Sequence, residues 1–530
     1  MHSFKVLDCT FRDGGYYNNW HFPASIIQKQ LTTALQIGVD FVEIGFRFLE
    51  NNKNYGPSST CESDFIQSFE VPEKVGLAVM FNASDLIKSQ IDQSTFKTFL
   101  GEYSPKLTNL HLVRIACHYH EFKNLKPSLE YLKHIGCTIA LNLMQISKRS
   151  EQEIVNFLNF CNQNSIDIVY FADSLGSLFP NDTKHISKIF HNETNLPFGI
   201  HAHDNLGLSL INSLTALENG ATFIDASITG MGRGPGNTIL EEILQIKNND
   251  QPEINYDELL NLIEDYFLPL KEQNKWGKNP LYFNAGLNSV HPTYVQEIST
   301  LHNLRLNKKF DLVNKISSTM SKSSFKKDLI WNELLKEENE TDAGSNNSNL
   351  NFAGKTVIIL GPNSFTSDNL YELKIFAKNN ASIIVLPNPN KEMIENSEVE
   401  INFGAFASPL RWNDRFNNLN IPLISPFRSL IDDHYFNLNI SNKIELDQHQ
   451  ISLPKPTVIP YLIGFLSLRL SKNLILHGFD NLNLHNDFTV INNCVEEVKK
   501  HFPTKIFLMS NAENIENTCF NFIRFYNKIT

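Results

Sequence analysis

The chain has 530 residues, 42% of them hydrophobic and 19% charged, and a formal net charge of −11. At about 100–200 residues per domain this length predicts two to four domains, and the composition excludes a collagen, a coiled coil or a largely disordered protein. The negative charge argues against nucleic acid and anionic membranes as partners. Seven scattered cysteines without a C-x-x-C pair predict a reducing cytoplasm rather than a disulfide framework. No apolar run reaches the roughly 18 residues of a membrane span.

Short β-rich runs alternate with helical patterns over the first half of the chain. Eight runs within about 245 residues predict an α/β fold of the TIM (β/α)8 barrel type, and a doubly wound open sheet is the alternative. The runs are Lys5–Thr10, Phe41–Arg47, Lys74–Phe81, Leu110–Ala116, Thr138–Met144, Asp167–Ala172, Phe198–His203 and Thr222–Thr229. In the helical pattern Leu206–Glu218, the apolar residues Leu206, Leu210, Ile211, Leu214 and Leu217 are expected to share one face.

A polar stretch without periodicity begins at residue 336 and predicts a linker. We therefore divide the chain into a TIM-barrel catalytic domain (1–255), a helical extension (256–335), a linker (336–353) and a Rossmann-like α/β domain (354–530). Five further β-rich runs predict this last domain: Thr356–Leu360, Ala381–Leu386, Ile421–Ser425, Asn473–His477 and Lys505–Met509. The glycine turn at Gly361 suits either phosphate binding or an ordinary strand-to-helix connection.

The carboxyl ends of the strands carry the active site in this type of barrel, so the residues after each run are the candidates. Arg12 and Asp13 follow the first run and would face the barrel mouth; a surface ion pair is the alternative. The seventh run ends in His201 and His203, whose side chains share a face because they are two residues apart on a strand. With Asp13 they form a two-histidine, one-carboxylate set that suits Mn²⁺, Mg²⁺, Zn²⁺, Fe²⁺ or Co²⁺.

A glycine-rich loop, 230–237, follows the eighth run. Three interpretations are open. It is a plain turn before a helix capped by Thr238 with Glu241, it is a phosphate cradle, or it offers Asn237 as an oxygen ligand to the same metal ion. Arg233 of this loop is a candidate for substrate binding.

Polar residues inside the apolar runs complete the candidate set. Glu43 lies within the second run, where a carboxylate is costly unless it is paired, so we expect Arg12 to be its partner. The pair either holds Arg12 in place or takes part in catalysis. Asn142 in the fifth run and Asp173 after the sixth are candidates for substrate contacts or for contacts that support the site.

Three of these motifs together resemble the signature of a known superfamily. They are Asp8-x-Thr10-x-Arg12-Asp13-Gly14, His201-x-His203-Asp204-Asn205-x-Gly207 and Gly232-x-Gly234-x-Gly236-Asn237. The sequence over residues 4–300 resembles the DRE-TIM metallolyases, a superfamily that includes HMG-CoA lyase, isopropylmalate synthase and homocitrate synthase. Within it, the sequence is most similar to the 4-hydroxy-2-oxovalerate aldolase branch.

The resemblance implies a metal-dependent aldolase or lyase that makes or breaks a carbon–carbon bond next to a 2-oxo acid. Asp13, His201 and His203 would hold Mn²⁺ or Mg²⁺, with Zn²⁺ or Co²⁺ as alternatives, and Asn237 would lie in or near this ligand shell. Arg12 would stabilise an enolate oxygen, where positive charge is favourable. The expected partners are a small-molecule 2-oxo acid or sugar-derived substrate and further copies of the chain in a homo-oligomer.

The sequence departs from this superfamily at the general base. The aldolases carry a histidine three residues after the metal-binding aspartate, where this chain has Tyr16. The lyase branch has a cysteine in the loop after the eighth strand, which 230–237 lacks. The candidates for the base are Tyr16, which needs a lowered pKa, His21, His291, which titrates near neutrality, and Tyr294.

Two other functions stay open. A Claisen-type acyl-CoA condensing enzyme would release CoA when given a 2-oxo acid acceptor, and a barrel without catalysis would serve as a binding or assembly platform. A metal-dependent hydrolase of the amidohydrolase pattern is disfavoured, because its H-x-H motif lies on the first strand rather than the seventh. The last domain resembles nucleotide-sugar or glycosyltransferase-like Rossmann domains.

Overall fold

A computed structural model provides the structure of the chain. It describes residues 4–333 except for 51, 91–92, 102–109, 302–303, 327–328 and 331–332. Beyond these, the described residues are 352–361, 364, 373, 382–388, 399–405, 407, 421, 423–425, 434–435, 437–440, 445–446, 450–453, 457–468, 471–477, 488–509 and 521–522.

Eight parallel strands close into a barrel in the order β1 to β8, which confirms the predicted TIM barrel. The strands are β1 (Lys5–Asp8), β2 (Phe41–Arg47), β3 (Gly76–Asn82), β4 (Leu112–Cys117), β5 (Thr138–Leu143), β6 (Ile168–Asp173), β7 (Phe198–Ala202) and β8 (Phe223–Ala226). The barrel closes where β1 pairs with β8, with Leu7 opposite Asp225 and Asp8 opposite Ala226. The site residues near the ends of β1, β7 and β8 therefore belong to adjacent strands.

Alternate residues of the strands fill the barrel interior, because successive side chains on a strand point to opposite faces. One interior cluster is apolar and consists of Leu7, Cys9, Ala78, Leu112, Ala140, Ile168, Tyr170 and Phe223. Two residues beyond members of this cluster, on the same face of their strands, come Arg114, Asn142 and Asp225. The lumen thus changes from apolar to polar toward the carboxyl ends of the strands, where the candidate residues lie.

Helices alternate with the barrel strands. They span Thr10–Asp13, Gly15–Asn18, Ala24–Ile37, Ser63–Gln67, Ala83–Ser89, Gln93–Gly101, Lys126–His134, Glu151–Gln163, Pro180–Glu193, Ser209–Glu218 and Leu240–Lys247. The helix Glu151–Gln163 begins with a capping box: Ser150 Oγ accepts the Glu153 backbone N–H at 3.2 Å, and Glu153 Oε2 accepts that of Ser150 at 2.8 Å.

The helix predicted for Leu206–Glu218 begins at Ser209, and its predicted apolar face is wrong. Ile211 is 45% exposed. The buried positions are instead small or polar: Ser209, Asn212, Ser213 and Ala216. Their polar groups are paired, since Asn212 Nδ2 donates to the Leu178 carbonyl at 2.9 Å. Small, hydrogen-bonded side chains can therefore fill the buried face of a helix whose larger apolar residues stay partly exposed.

The cap predicted at Thr238 is also wrong, because the helix Leu240–Lys247 begins after Ile239. The hydroxyl of Thr238 pairs with Ser213 Oγ at 2.9 Å, and Glu241 Oε2 accepts the backbone N–H of Thr229 at 3.0 Å. Both side chains therefore hold the loop after β8 rather than the first turn of the helix.

The chain forms two compact units. The first comprises Met1–Gln296 with Ser317–Phe325 and contains the barrel, and the second comprises Glu297–Ile316 with Lys326–Thr530. The boundaries drawn from the sequence stay predictions, and the expected linker 336–353 lies outside the described residues except for its last two. The helical pattern expected over 256–335 corresponds to helices at Asp257–Leu262, Leu268–Asn274, Pro280–Leu287, Pro292–Ser299 and Leu306–Ser317, and a π-helix at Ile263–Phe267.

The second unit contains a parallel sheet, in agreement with the predicted α/β domain. In spatial order its strands are β13, β12, β11, β10, β9, β17, β18 and β19. Their bounds are β9 (Thr356–Leu360), β10 (Ile383–Pro387), β11 (Phe403–Ala405), β12 (Leu423–Ser425), β13 (His434–Tyr435), β17 (Asn473–His477), β18 (Lys505–Met509) and β19 (Asn521–Phe522). A second sheet has the order β14, β16, β15, with bounds β14 (Asn437–Ile440), β15 (Glu445–Leu446) and β16 (Gln450–Leu453).

Two helices of the second unit span Val458–Leu468 and Phe488–His501. The first of them is apolar and buried along most of its length, so it serves as the core element of this unit. Within the described part of the chain, no helix has both the length and the apolar character that crossing a membrane requires.

Candidate metal centre and active site

Three of the predicted metal ligands meet at the carboxyl ends of β1 and β7. Asp13 ends the helical turn Thr10–Asp13 after β1, His201 lies in β7, and His203 follows one residue after this strand. One donor atom from each lies within 4.8 Å of the other two. Asp13 Oδ2 is 3.9 Å from His201 Nε2, and the two imidazole rings are perpendicular with centroids 5.0 Å apart. Three donors this close can share one metal ion.

A buried carboxylate orients His201. The Nδ1 atom of His201 lies 3.0 Å from Asp225 Oδ2, and Asp225 in β8 is fully buried. Because an ionised carboxylate only accepts hydrogen bonds, Nδ1 carries the proton of the neutral imidazole. The lone pair on Nε2, the atom nearer to Asp13, is then available to a cation, which is the usual arrangement of a metal-binding histidine.

His203 and Asp13 have the protonation states that cation binding needs. Burial lowers the pKa of His203 to about 3, so its imidazole is neutral at pH 7. Burial alone would raise the pKa of Asp13, but Arg12, the two histidines and a hydrogen bond from Asn237 outweigh it and hold this pKa below its usual value. A neutral imidazole and an ionised carboxylate both offer lone pairs to a divalent cation.

A chain of buried charges connects Arg12 to His201. Arg12 Nε and Arg114 Nη1 both donate to Glu43 Oε2, at 2.8 and 3.1 Å. Arg114 Nη2 donates in turn to Asp225 Oδ2 at 2.6 Å, the oxygen that pairs with His201. Glu43, Arg114 and Asp225 are 0% exposed. Since buried charges are costly unless paired, this alternation of sign fixes both ends of the chain relative to each other.

Arg114 and Asp225 are absent from the sequence-based candidates, although the sequence carries a signal for both. Each is a charged residue in the middle of an apolar strand, β4 or β8, where a charge requires a partner. The same signal identifies Glu43 in β2. The guanidinium of Arg114 also lies 4.4 Å from the ring centroid of Tyr170, a cation–π contact that adds to its burial.

Asn237 lies against the three ligands at the end of the loop 230–237. Its Nδ2 donates to Asp13 Oδ2 at 2.8 Å. Its Oδ1, like Nδ1 of His203, is buried without a hydrogen-bond partner among the described residues. Such orphaned buried atoms are rare, and both are of a kind that binds cations. A carboxylate, two imidazoles and an amide oxygen fit Mn²⁺ or Mg²⁺, and also Zn²⁺ or Co²⁺.

Arg233 brings further predicted residues to these ligands. Its backbone N–H donates to Asp13 Oδ2 at 3.3 Å, and its guanidinium lies 5.2 Å from the ring centroid of Tyr16. Its Nη2 is 2.5 Å from Thr293 Oγ1 and 3.4 Å from His291 Nε2. The structure therefore gathers Tyr16, Arg233 and His291 beside Asp13.

Tyr16 and His291 differ in their fitness as a general base. Burial raises the pKa of Tyr16, although Arg233 opposes the change, so the chain's own groups do not provide the lowered pKa that a tyrosine base needs. The ring packs edge-on against Trp20 and Phe46, and Tyr16 stays 39% exposed. Burial, assisted by Arg233, lowers the pKa of His291 to about 3, so its imidazole is unprotonated at pH 7.

The other two candidates for the base have different surroundings. His21 is exposed, and its Nε2 lies 3.1 Å from the Asn54 carbonyl oxygen. Tyr294 is fully buried and its hydroxyl donates to the Ser324 carbonyl at 2.9 Å. No contact joins either residue to the metal ligands in the described part of the structure.

Asp173 and Asn142 are buried at the ends of β6 and β5. Asp173 accepts the backbone N–H groups of Ser177 and Leu178 at 2.9 and 3.0 Å, and burial raises its pKa to about 6. Its carboxylate therefore holds the loop after β6. Asn142 Oδ1 has no hydrogen-bond partner among the described residues, so it retains an acceptor for a bound molecule.

Comparisons with known proteins agree with this geometry. The family model described as HMGL-like matches residues 106–263. A 4-hydroxy-2-oxovalerate aldolase from Geobacillus genomosp. 3 is 27% identical over 245 residues, which are 46% of this chain and 69% of the relative. The enzyme of the same name from Moorella thermoacetica is 24% identical over 315 residues, 58% of this chain and 88% of the relative.

Among solved structures, the N-terminal domain of a proposed aldolase from Bacteroides vulgatus is 30% identical, with a TM-score of 0.50, and the match covers 56% of this chain and 96% of that domain. The chain belongs to the HMGL-like family. Membership of this family, the DRE-TIM metallolyases, makes it a carbon–carbon lyase of the aldolase type. The HMGL-like match lies within the barrel, so the second unit is outside the region that defines the family.

Proposed function

We propose that the chain is a divalent-metal-dependent aldolase that cleaves or forms a carbon–carbon bond next to a 2-oxo acid. The observation that carries the proposal is the convergence of Asp13, His201 and His203 beside the buried guanidinium of Arg12, whose Nη1 lies 2.5 Å from Asp13 Oδ1. The relatives named 4-hydroxy-2-oxovalerate aldolase support the choice of a 2-oxo acid as substrate.

The chain's own residues supply the electrostatics of enolate formation. A bound divalent cation would act as a Lewis acid on the 2-oxo group. Arg12 is fixed by its bond to Glu43, so its positive charge is in place before the enolate oxygen develops negative charge. Such preorganised charge lowers the barrier because nothing has to reorient during the reaction.

Proton transfer from the 4-hydroxyl of the substrate requires a base at the barrel mouth. We assign this role to His291, because it is neutral at pH 7 and lies 3.4 Å from Arg233, which contacts Asp13. Tyr16, with its raised pKa, is assigned a hydrogen bond to the substrate through a hydroxyl that stays protonated. Asn142 is assigned a contact to the substrate through its unpaired Oδ1.

Exchange of the pyruvate methyl protons in D2O tests this proposal without knowledge of the aldehyde partner. Enolate formation from pyruvate should exchange these protons when Mn²⁺ or Mg²⁺ is present, and Arg12→Gln should slow the exchange by about 100-fold or more, as for loss of one oxyanion donor. Arg149→Gln is not suited as a control because it lies near the mouth, whereas Lys247→Gln removes a cation that bonds only Gly38 and Asp40. Absence of exchange with either metal would overturn the proposal.

A reducing cytoplasm and a homo-oligomeric assembly remain predictions. The six cysteines that the structure describes, Cys9, Cys61, Cys117, Cys137, Cys161 and Cys494, are all free and buried, which supports a compartment where thiols stay reduced.

A further inference from the structure

A second polar cavity opens at the carboxyl ends of β4 and β5, within the first unit. It measures about 280 Å³, and its walls include His118, His120, Gln145, Arg149 and Ser323. The volume is near the lower end of the range for small-molecule sites. None of these residues belongs to the metal cluster.

The cavity lies at the same end of the barrel as the metal ligands. His118 continues the inward-facing series of β4, two and four residues beyond Ala116 and Arg114, and Met144 of the cavity wall continues that of Asn142 in β5. His291 is affected electrostatically by His203 on one side and by His118 on the other, beside the larger effects of burial and Arg233. A substrate held at the metal cluster could therefore extend toward this cavity.

The cavity wall is rich in groups that attract an anion. The rings of His118 and His120 are parallel within 11°, with centroids 5.7 Å apart. The guanidinium of Arg149 lies 5.7 Å from the ring centroid of Tyr119, and its Nε has no hydrogen-bond partner among the described residues. Each of these groups can donate a hydrogen bond to a carboxylate or a phosphate.

The nearby carboxylates are engaged elsewhere. Glu121 accepts the backbone N–H of His118 at 2.7 Å. Glu153 accepts the backbone N–H of Ser150 at 2.8 Å and an N–H of Arg149 at 3.0 Å. No carboxylate residue is among the groups that form the cavity wall. In a chain with a net charge of −11, a cavity with this balance of charge is suited to a negatively charged ligand.

Backbone strain marks the same place. Gln145, directly after β5, has φ 53° and ψ 46°, which is the left-handed region that residues other than glycine rarely occupy. Two contacts hold it: its backbone N–H donates to Ser174 Oγ at 3.0 Å, and its Nε2 donates to the Ser323 carbonyl at 2.9 Å. Strain of about 1–3 kcal/mol persists where surrounding contacts impose it, and such residues cluster at ligand sites.

We propose that this cavity, lined by His118, His120 and Arg149, binds an anionic group at the far end of the substrate, the part that leaves as the aldehyde. The inference rests on the proposed aldolase function and narrows its substrate to a 4-hydroxy-2-oxo acid that ends in a carboxylate or a phosphate ester.

Three 4-hydroxy-2-oxo acids of equal chain length test the inference, ending in a hydroxymethyl group, a carboxylate or a phosphate ester. With Mn²⁺, kcat/KM for one of the charged acids should exceed that for the uncharged acid by about tenfold to a hundredfold, as expected for one charge-assisted contact. The better of the two charged acids identifies the natural end group. Equal values, or a preference for the uncharged acid, would overturn the inference.

Variants locate the preference in the cavity. Arg149→Met should abolish it and Arg149→Lys should restore it in part. Lys126→Met is the matched control, since Lys126 is paired with Glu130 at i+4, as Arg149 is with Glu153, but does not line the cavity. A preference that survives in Arg149→Met, in a variant with an unchanged thermal midpoint, would contradict the assignment. Pyruvate exchange without any preference would refute only this inference, whereas absence of exchange would remove the proposed function on which it rests.

Discussion

At the scale of single residues, Asp225 links the metal cluster to the barrel interior. It accepts from both His201 and Arg114, so it fixes the tautomer of one and neutralises the other. Because Arg114 also bonds Glu43, which holds Arg12, a change at Asp225 alters both the metal ligands and the residue that we assign to the enolate.

Asp225→Ala should weaken the binding of Mn²⁺ by about 10–100-fold, the usual effect of removing a carboxylate behind a histidine ligand. Titration of the metal-free protein with Mn²⁺, followed by the paramagnetic signal of free Mn²⁺, measures this without an activity assay. Asp8→Ala is the matched control, because Asp8 is equally buried in the neighbouring strand but bonds Thr10 and Gln30. Equal affinity in both variants would exclude a positioning role for Asp225.

Asp8 itself predicts a pH dependence of stability. Burial raises its pKa to about 6 from an ordinary value of 3.8. The folded state therefore binds this proton more tightly than the unfolded state, so the contribution of Asp8 to stability is largest below pH 3.8 and is lost as the pH rises to 6. The loss amounts to about 3 kcal/mol for a shift of this size.

Asp8→Asn removes this titration. The free energy of unfolding of the variant, relative to the wild type, should rise by up to about 3 kcal/mol between pH 4 and pH 7. An asparagine can still be satisfied, because Gln30 Oε1 has no hydrogen-bond partner among the described residues and could accept its amide. Urea denaturation at several pH values measures the difference, and a difference that does not vary with pH would contradict the assigned pKa.

The sequence identified the ligands but not their supports, for a physical reason. His201 and His203 are visible because the period of a strand is two, so their shared face follows from their numbers alone. The partner of a buried charge lies on another strand, and its identity depends on the register of the closed barrel. Arg114 reaches Glu43 and Asp225 across distances of 71 and 111 residues in sequence, which no local pattern encodes.

At the scale of elements, the loop 230–237 positions Asn237. Gly236 has φ 90°, and a Cβ atom there would lie 2.0 Å from the Gly230 carbonyl oxygen. Gly236→Ala should therefore move the loop and lower both thermal stability and Mn²⁺ affinity. Gly136→Ala is the control, since Gly136 has a similar φ of 93° with open space around its Cβ, and it should cost only the roughly 1–2 kcal/mol of a left-handed alanine. Equal losses of Mn²⁺ affinity would show that the loop does not shape the site.

Strands were easier to predict than helix faces. Each of the eight barrel runs contains the observed strand, apart from single-residue extensions at some carboxyl ends, because strands buried on both faces are continuous apolar runs. The face of Ser209–Glu218 could not be inferred from apolar periodicity, since hydrogen-bonded Asn212 and Ser213 are buried where Ile211 is exposed. Tertiary pairing of polar groups outweighed hydrophobicity in this element.

At the scale of the whole molecule, the barrel motifs determine the family and the second unit does not. Its parallel sheet was foreseen because β9, β17 and β18 are apolar runs of five residues. The strands of two or three residues, β11, β13, β15 and β19, carry too few residues for a periodic signal. Gly361 and Ser364 stand at the carboxyl end of β9, where Ser364 Oγ donates to the His477 carbonyl at 2.8 Å and so joins β9 to β17.

Metal analysis of the purified protein and its variants tests the central claim most directly. The wild-type chain should retain about one divalent ion per chain after passage over a desalting column, whereas Asp13→Ala and His201→Ala should retain far less, because each loses a ligand. His21→Ala, which removes an exposed histidine, should keep the wild-type content. Full occupancy in both ligand variants would contradict the assignment of Asp13 and His201 to a metal centre.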